Sequence, residues 1–123
     1  MLTENPTAGG FIISLANANR SMDNVTIQSG QDLKAGTVLG KEANSDDYVQ
    51  LDPSATDGTD VARGVLFAPT DTTDGEVVAA VVLRDAEVNA GELIWPTGIS
   101  DNDKATAIGE LKTIGIIVRT GVS

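Results

Sequence analysis

Apolar residues in this chain come in short runs broken by polar turns, and only one stretch carries helical spacing. Val25-Thr26-Ile27-Gln28 alternates apolar and polar side chains, as a half-buried strand does. Ser29-Gly30 can turn the chain. Thr37-Val38-Leu39 follows Ala35-Gly36 and is expected to stop at Gly40; Tyr48-Val49-Gln50-Leu51 stops at Asp52-Pro53. Gly64-Val65-Leu66-Phe67-Ala68 ends at Pro69, and Ile116-Ile117-Val118 reads as a last buried strand. Val77 to Leu83 is the most apolar stretch. Its length and β-branching predict a central strand covered on both faces, because an exposed one would invite aggregation.

The single helix is predicted from its ends as much as from its middle. Ser100 is placed to cap it, with Asp103 at the third helical position in a near capping-box arrangement. Asp101 and Asp103 suit the positive end of the helix dipole and Lys112 the negative end. Ala105, Ile108, Leu111 and Ile114 are expected to form the buried stripe, and Gly115 to end the helix. Gly109 costs roughly 1 kcal/mol against alanine, so packing must hold the helix. Little else is helical, and the fold class is therefore mainly β with one C-terminal helix.

Residues 1–20 read as an extended N-terminal arm ahead of a β-rich domain at 21–123. Pro6 through Gly10 break regular structure, and Ala16-Asn17-Ala18-Asn19 is small and polar. Between them stands Phe11-Ile12-Ile13-Ser14-Leu15, a β-prone apolar run. It can return to its own core or pair with a sheet edge of another chain.

Length and composition narrow the function. A chain of 123 residues suits one domain with a modest core. Cysteine and histidine are both absent, which removes disulfides, thiol nucleophiles, the usual neutral-pH base and the usual zinc ligands. The formal charge is −10, and nine carboxylates from Glu42 to Glu76 face only Arg63. Such a chain repels nucleic acid and is expected to solvate its acidic stretch. No apolar run approaches a membrane span, and the N-terminus lacks a basic signal region, so synthesis in the cytoplasm is expected.

Catalytic and cofactor motifs are missing where they would be sought. Asp46-Asp47 and Asp101/Asp103 are the close acid pairs, one in a polar turn and the other in a helix cap, and neither has the apolar surroundings that a general acid needs. Gly30, Gly36 and Gly40 follow no phosphate-loop spacing. Asp71-Thr72-Thr73-Asp74-Gly75-Glu76 superficially suggests a calcium loop, but its acids stand three apart without flanking helices, and a solvated turn is expected. Phe11, Tyr48, Phe67 and Trp95 lie far apart with no interleaved basic residues, which does not suit base stacking. No catalytic residue, metal ligand or cofactor is assigned. What remains is an interaction module.

Two segments go further. Glu92-Leu93-Ile94-Trp95-Pro96, followed by Ser100-Asp101-Asn102-Asp103-Lys104, resembles the C-terminal signature of lambda-type bacteriophage head decoration proteins. Asp52 to Ala68, with Thr56-Asp57-Gly58 before Gly64-Val65-Leu66, is similar to their mid-chain turn and strand. The N-terminal part departs from the lambda protein itself. Phe11-Ile12-Ile13-Ser14, Arg20-Ser21, Val25-Thr26 and Ala35-Gly36-Thr37-Val38-Leu39-Gly40 instead look like the broader family, so the resemblance covers most of residues 11 to 119.

This resemblance implies a β-clip-like, loop-rich domain with a small α/β part, assembled as a homotrimer on three-fold and local three-fold sites of an expanded capsid. It implies the major capsid protein as partner, with no direct nucleic acid or membrane contact, and a place on the outer surface of the virion. The arm, with Leu2, Thr3, Phe11, Ile12, Ile13 and Leu15, would then face the capsid and add a strand to it. On this reading, deleting residues 1–15 leaves a folded trimer. Leu93, Ile94, Trp95 and Pro96 are either core residues over the helix or an anchor at the trimer or capsid interface. The alternative is a β-clip-type domain of a sugar- or nucleotide-handling enzyme, because Asp32 to Leu39 resembles a motif of those domains; it would need a pocket of convergent polar groups.

Overall fold

One strand, Val77–Val82, organises the computed structural model, which describes residues 10–15 and 21–120. In chain order the strands are β1 (Ile12–Leu15), β2 (Met22–Ile27), β3 (Asp32–Leu33), β4 (Val38–Lys41) and β5 (Tyr48–Gln50). Then come β6 (Ala62–Leu66), β7 (Thr70–Asp71), β8 (Val77–Val82), β9 (Ala86–Asn89), helix α1 (Asp101–Thr113) and β10 (Ile116–Arg119). Strand β8 pairs antiparallel with β2 along its whole length and with β6 at its end, closing a barrel in the order β2-β5-β4-β6-β8. Closure leaves this sheet no free edge. A second sheet, β1-β9-β10, follows from the end of β8, and β3 pairs with β7. The mainly β class with one C-terminal helix is the expected one.

Two cores share one wall. Leu39, Leu66 and Val81 pack inside the barrel with Ile27, Leu33 and Tyr48. Their chain neighbours Val38, Val65 and Val82 point the other way, into a core with Phe11, Leu51, Val88, Leu93, Leu111 and Ile116. Successive strand residues face opposite sides, so a wall buried on both faces demands consecutive apolar residues. That explains Val38-Leu39, Val65-Leu66 and Val81-Val82. The other half of β8 departs from expectation: Val77 is 38% and Val78 65% exposed, because only the distal half of the strand lies between the two cores.

Helix α1 has the predicted ends and a different buried stripe. Ser100 Oγ accepts from Asp103 N at 3.0 Å, and Gly115, at φ +88°, lies just past the last turn. The buried residues are Ala107 and Leu111, with Ile108 and Ile114 half-buried and Ala105 exposed. Strict three-residue spacing drifts about 60° around the helix per step, so a stripe of spacing four and three is favoured over the one through Ala105. Gly40 also differs from expectation. It sits inside β4 at an irregular register with β6, where a Cβ would lie 2.4 Å from the Thr59 carbonyl oxygen.

The first strand brings the largest revision. Phe11 is 2% exposed in the second core, and β1 pairs antiparallel with β9 of the same chain. The apolar run thus takes the first of its two options, returning to its own core, and the folded unit begins well before residue 21. The physical reason is that β9 offers an unpaired edge directly beside a pocket of Val88, Leu93 and Ile116, and burying such a ring contributes about 1.5–3 kcal/mol.

Candidate functional site

The two segments singled out by sequence lie close together, joined through Asn89 at the end of β9. Asn89 N donates to Phe11 O at 2.8 Å, and Asn89 is also the register partner of Arg119 on β10. Residue 10 on one side and residue 120 on the other therefore flank the same strand end.

On β1 the side chains divide by face. Phe11 is core, and Ile12 is half-buried against the same cluster. The register passes from Ile12 opposite Val88 to Ser14 opposite Glu87, which leaves Ile13 as the extra residue of a bulge, 39% exposed. Ser14 is exposed as well. Because β1 is the outer strand of its sheet, its second edge has no partner strand among the described residues. Its backbone groups there are open to pairing, beside an exposed isoleucine. Leu2 and Thr3 lie outside the described residues, as does the side chain of Leu15.

The Leu93–Pro96 segment is stitched to the turn before β4. Ile94 N donates to Gly36 O at 2.8 Å, and Val38 N donates to Ile94 O at 3.1 Å. Gly36, at φ +90°, is required there: a Cβ would lie 2.6 Å from the Glu92 carbonyl oxygen. Leu93 is 6% exposed and belongs to the core. Ile94, Trp95 and Pro96 are half-buried. The Trp95 ring packs on the core beneath it and carries Lys104 Nζ 5.7 Å from its centroid. Trp95, Leu93, Lys104, Ile108, Asn89 and Thr120 are among the residues lining a surface groove of about 530 Å³.

This surface suits adhesion better than bond chemistry. Arg119 Nε donates to Glu87 Oε1 at 2.7 Å on the exposed face of β9 and β10, and that hydrogen bond and the carboxylate's charge hold the guanidinium pKa above its ordinary value. Asp57 and Asp71 are held below the ordinary carboxylate range by bonds from the hydroxyl and then the backbone N–H of Thr59 and Thr73. Both acids are exposed, Asp57 in a bend and Asp71 at the end of β7. Among the described residues, no group of three or more carboxylates is placed to hold a metal ion. No described helix is long and apolar enough to cross a membrane. Asp32 to Leu39, the segment that resembles enzyme β-clip domains, builds β3 and β4 with Ala35 through Leu39 buried.

Sequence reasoning missed β9, Asn89 and the groove residues Lys104, Ile108 and Thr120. For β9 a signal existed, the apolar-polar alternation of Ala86-Glu87-Val88-Asn89. The groove had none, because it joins residues from a strand end, a helix and the C-terminal segment.

Compared with known families, residues 1–116 match the model described as bacteriophage lambda head decoration protein D. No curated protein gives a significant match.

Proposed function

The chain belongs to the bacteriophage lambda head decoration protein D family, and on that premise we propose that it is a trimeric clamp on the expanded phage head. The family is a structural one whose place is the virion capsid, and it is not an enzyme family. In our reading, three copies meet at three-fold and local three-fold sites, bridge major capsid subunits from outside and resist the outward pressure of packaged DNA.

The observation that carries the mechanism is the outer edge of β1, which has no partner strand among the described residues. The bulged Ile13 lies on this strand, whose inner face is anchored by Phe11. A capsid segment adding there gains backbone pairing for affinity and Ile13 for register. A trimer presents three such edges, so each contact stays weak while the whole is tight. Because the clamp binds the assembled shell in preference to separate subunits, mass action stabilises the shell. Trp95, half-buried in the wall of the groove, and the half-buried Pro96 next to it in the chain supply the apolar anchor at the trimer or capsid interface.

Charge placement supports this orientation. Ile27 is register partner to both Tyr48 and Val77, so the loops holding Glu42, Asp46, Asp47, Asp74 and Glu76 gather at one barrel end. At the other end of β8, Val82 pairs with Met22 and the chain continues to β9, with which β1 pairs. With β1 toward the shell, the acidic loops face solvent and keep coated particles apart.

Deleting residues 1–9 tests the mechanism without disturbing Phe11. The truncated protein is expected to keep its fold and oligomeric size and to lose most shell binding in co-sedimentation. Undiminished coating would refute the role of the arm.

A further inference from the structure

We propose that Asp74 is a site of spontaneous isoaspartate formation, and hence a substrate for an S-adenosylmethionine-dependent isoaspartyl carboxyl methyltransferase. The chain contains two Asp-Gly pairs, Asp57-Gly58 and Asp74-Gly75, and glycine offers the least hindered amide nitrogen for attack on the preceding carboxyl. The fold treats the two pairs oppositely.

Asp57 is locked. Its Oδ1 accepts from both the N–H and the hydroxyl of Thr59, and Thr59 is 2% exposed. Those bonds also hold its carboxyl below the ordinary range, which disfavours the protonated form that cyclises. Gly58 has no room around it: a Cβ there would lie 2.8 Å from the Lys41 carbonyl oxygen and 3.1 Å from Ala43 N. A succinimide ring at this position would meet backbone.

Asp74 is open. It is exposed, and its carboxylate has no hydrogen-bond or ionic partner among the described residues. Gly75 lies at φ +153° with nothing within 4 Å of where a Cβ would stand. The attacking nitrogen is restrained by one turn bond, from Gly75 N to Thr72 O at 3.1 Å.

The step balances without a co-reactant. Gly75 N bonds to Asp74 Cγ; the carboxyl hydroxyl leaves with the amide proton as water, giving a five-membered imide. Water then adds to the Asp74 main-chain carbonyl and breaks its bond to Gly75 N. The chain now runs through Cγ, and the former main-chain carbonyl is a free carboxylate. Composition and mass are unchanged, and the backbone before β8 is longer by one methylene.

The test is to age the folded full-length protein at neutral pH, digest it with trypsin, and measure methyl transfer from S-adenosylmethionine to each peptide. Cleavage after Lys41, Arg63 and Arg84 places Asp57 and Asp74 on separate peptides, 42–63 and 64–84. Breaking the charged hydrogen bonds of Asp57 slows its reaction, so peptide 64–84 is expected to accept roughly tenfold more methyl groups. Ageing in denaturant should bring the two peptides level, and Asp74→Glu should abolish the signal from 64–84. Equal labelling in the folded protein, no labelling of 64–84, or labelling that survives Asp74→Glu would overturn the proposal.

Discussion

Replacing Phe11 by alanine asks whether β1 belongs to the folded unit or to a detachable arm. Phe11 is 2% exposed and packed among Val38, Val65, Val88, Leu93 and Ile116. Truncating a buried phenylalanine costs about 3–5 kcal/mol, from lost transfer energy and the cavity left behind. A domain of this size unfolds with an entropy near 2.1 cal/mol/K per residue, so Tm should fall by roughly 10–20 °C. Ile13, on the same strand but 39% exposed at the bulge, is the internal control, and Ile13→Ala should cost under about 1 kcal/mol. Both variants are compared by calorimetry and by urea unfolding followed by circular dichroism. If Phe11→Ala and Ile13→Ala melted together with the wild type, Phe11 would not be core and the domain would begin after residue 20.

Three further outcomes follow from the same structure. Thr72 is fully buried, with its hydroxyl donating to Gln28 O and accepting from Gln31 N; Thr72→Val leaves Gln31 N without its acceptor, while Gln28 O keeps the Gln31 Nε2 donor, and should cost about 1–3 kcal/mol in urea unfolding, whereas a surface-like loss below about 0.5 kcal/mol would contradict that role. Gly40→Ala pushes a methyl against the Thr59 backbone and should cost about 1–3 kcal/mol, read as a lower Tm; a rise would mean that the β4 bulge can relax. Asp57 and Asp71 have folded pKa values below their unfolded ones, so their contribution is present above the ordinary aspartate value and is lost as pH falls through the lowered folded values. Asp57→Asn with Asp71→Asn should therefore weaken the protein at neutral pH and close the gap in acid; a pH-independent gap in urea midpoints would contradict the linkage.

How far the fold was legible depends on where each contact is encoded. Helix α1 was readable at its ends, because Ser100, Asp103 and Gly115 act within a few residues of themselves. Its buried face was misjudged at Ala105, since tertiary packing chooses among near-equal stripes. Strands with consecutive apolar residues announced themselves, although the two-faced wall that requires those pairs did not. Barrel closure was invisible. It depends on one parallel pair, Ile27 with Tyr48, and on Gln31, whose Oε1 accepts from Gln50 N while its Nε2 donates to Gln28 O. Strands β3 and β7, of two residues each, are too short for any periodicity. The place of Phe11 was open between two options for a related reason: flanking glycines and small polar residues mark an arm, but the β9 edge beside which it packs lies more than seventy residues away. At the candidate surface, Trp95 and Pro96 were found as a motif, whereas the groove beside them exists only once Lys104, Ile108 and Thr120 are brought together.

The most direct measurement is saturation binding of the purified protein to expanded and unexpanded phage heads, with occupancy counted by electron microscopy. Adhesion to a finished shell predicts filling of the expanded heads in multiples of three, greater resistance of those heads to internal pressure, and bare unexpanded heads. Equal coating of both forms, or coated heads that burst as readily as naked ones, would contradict it.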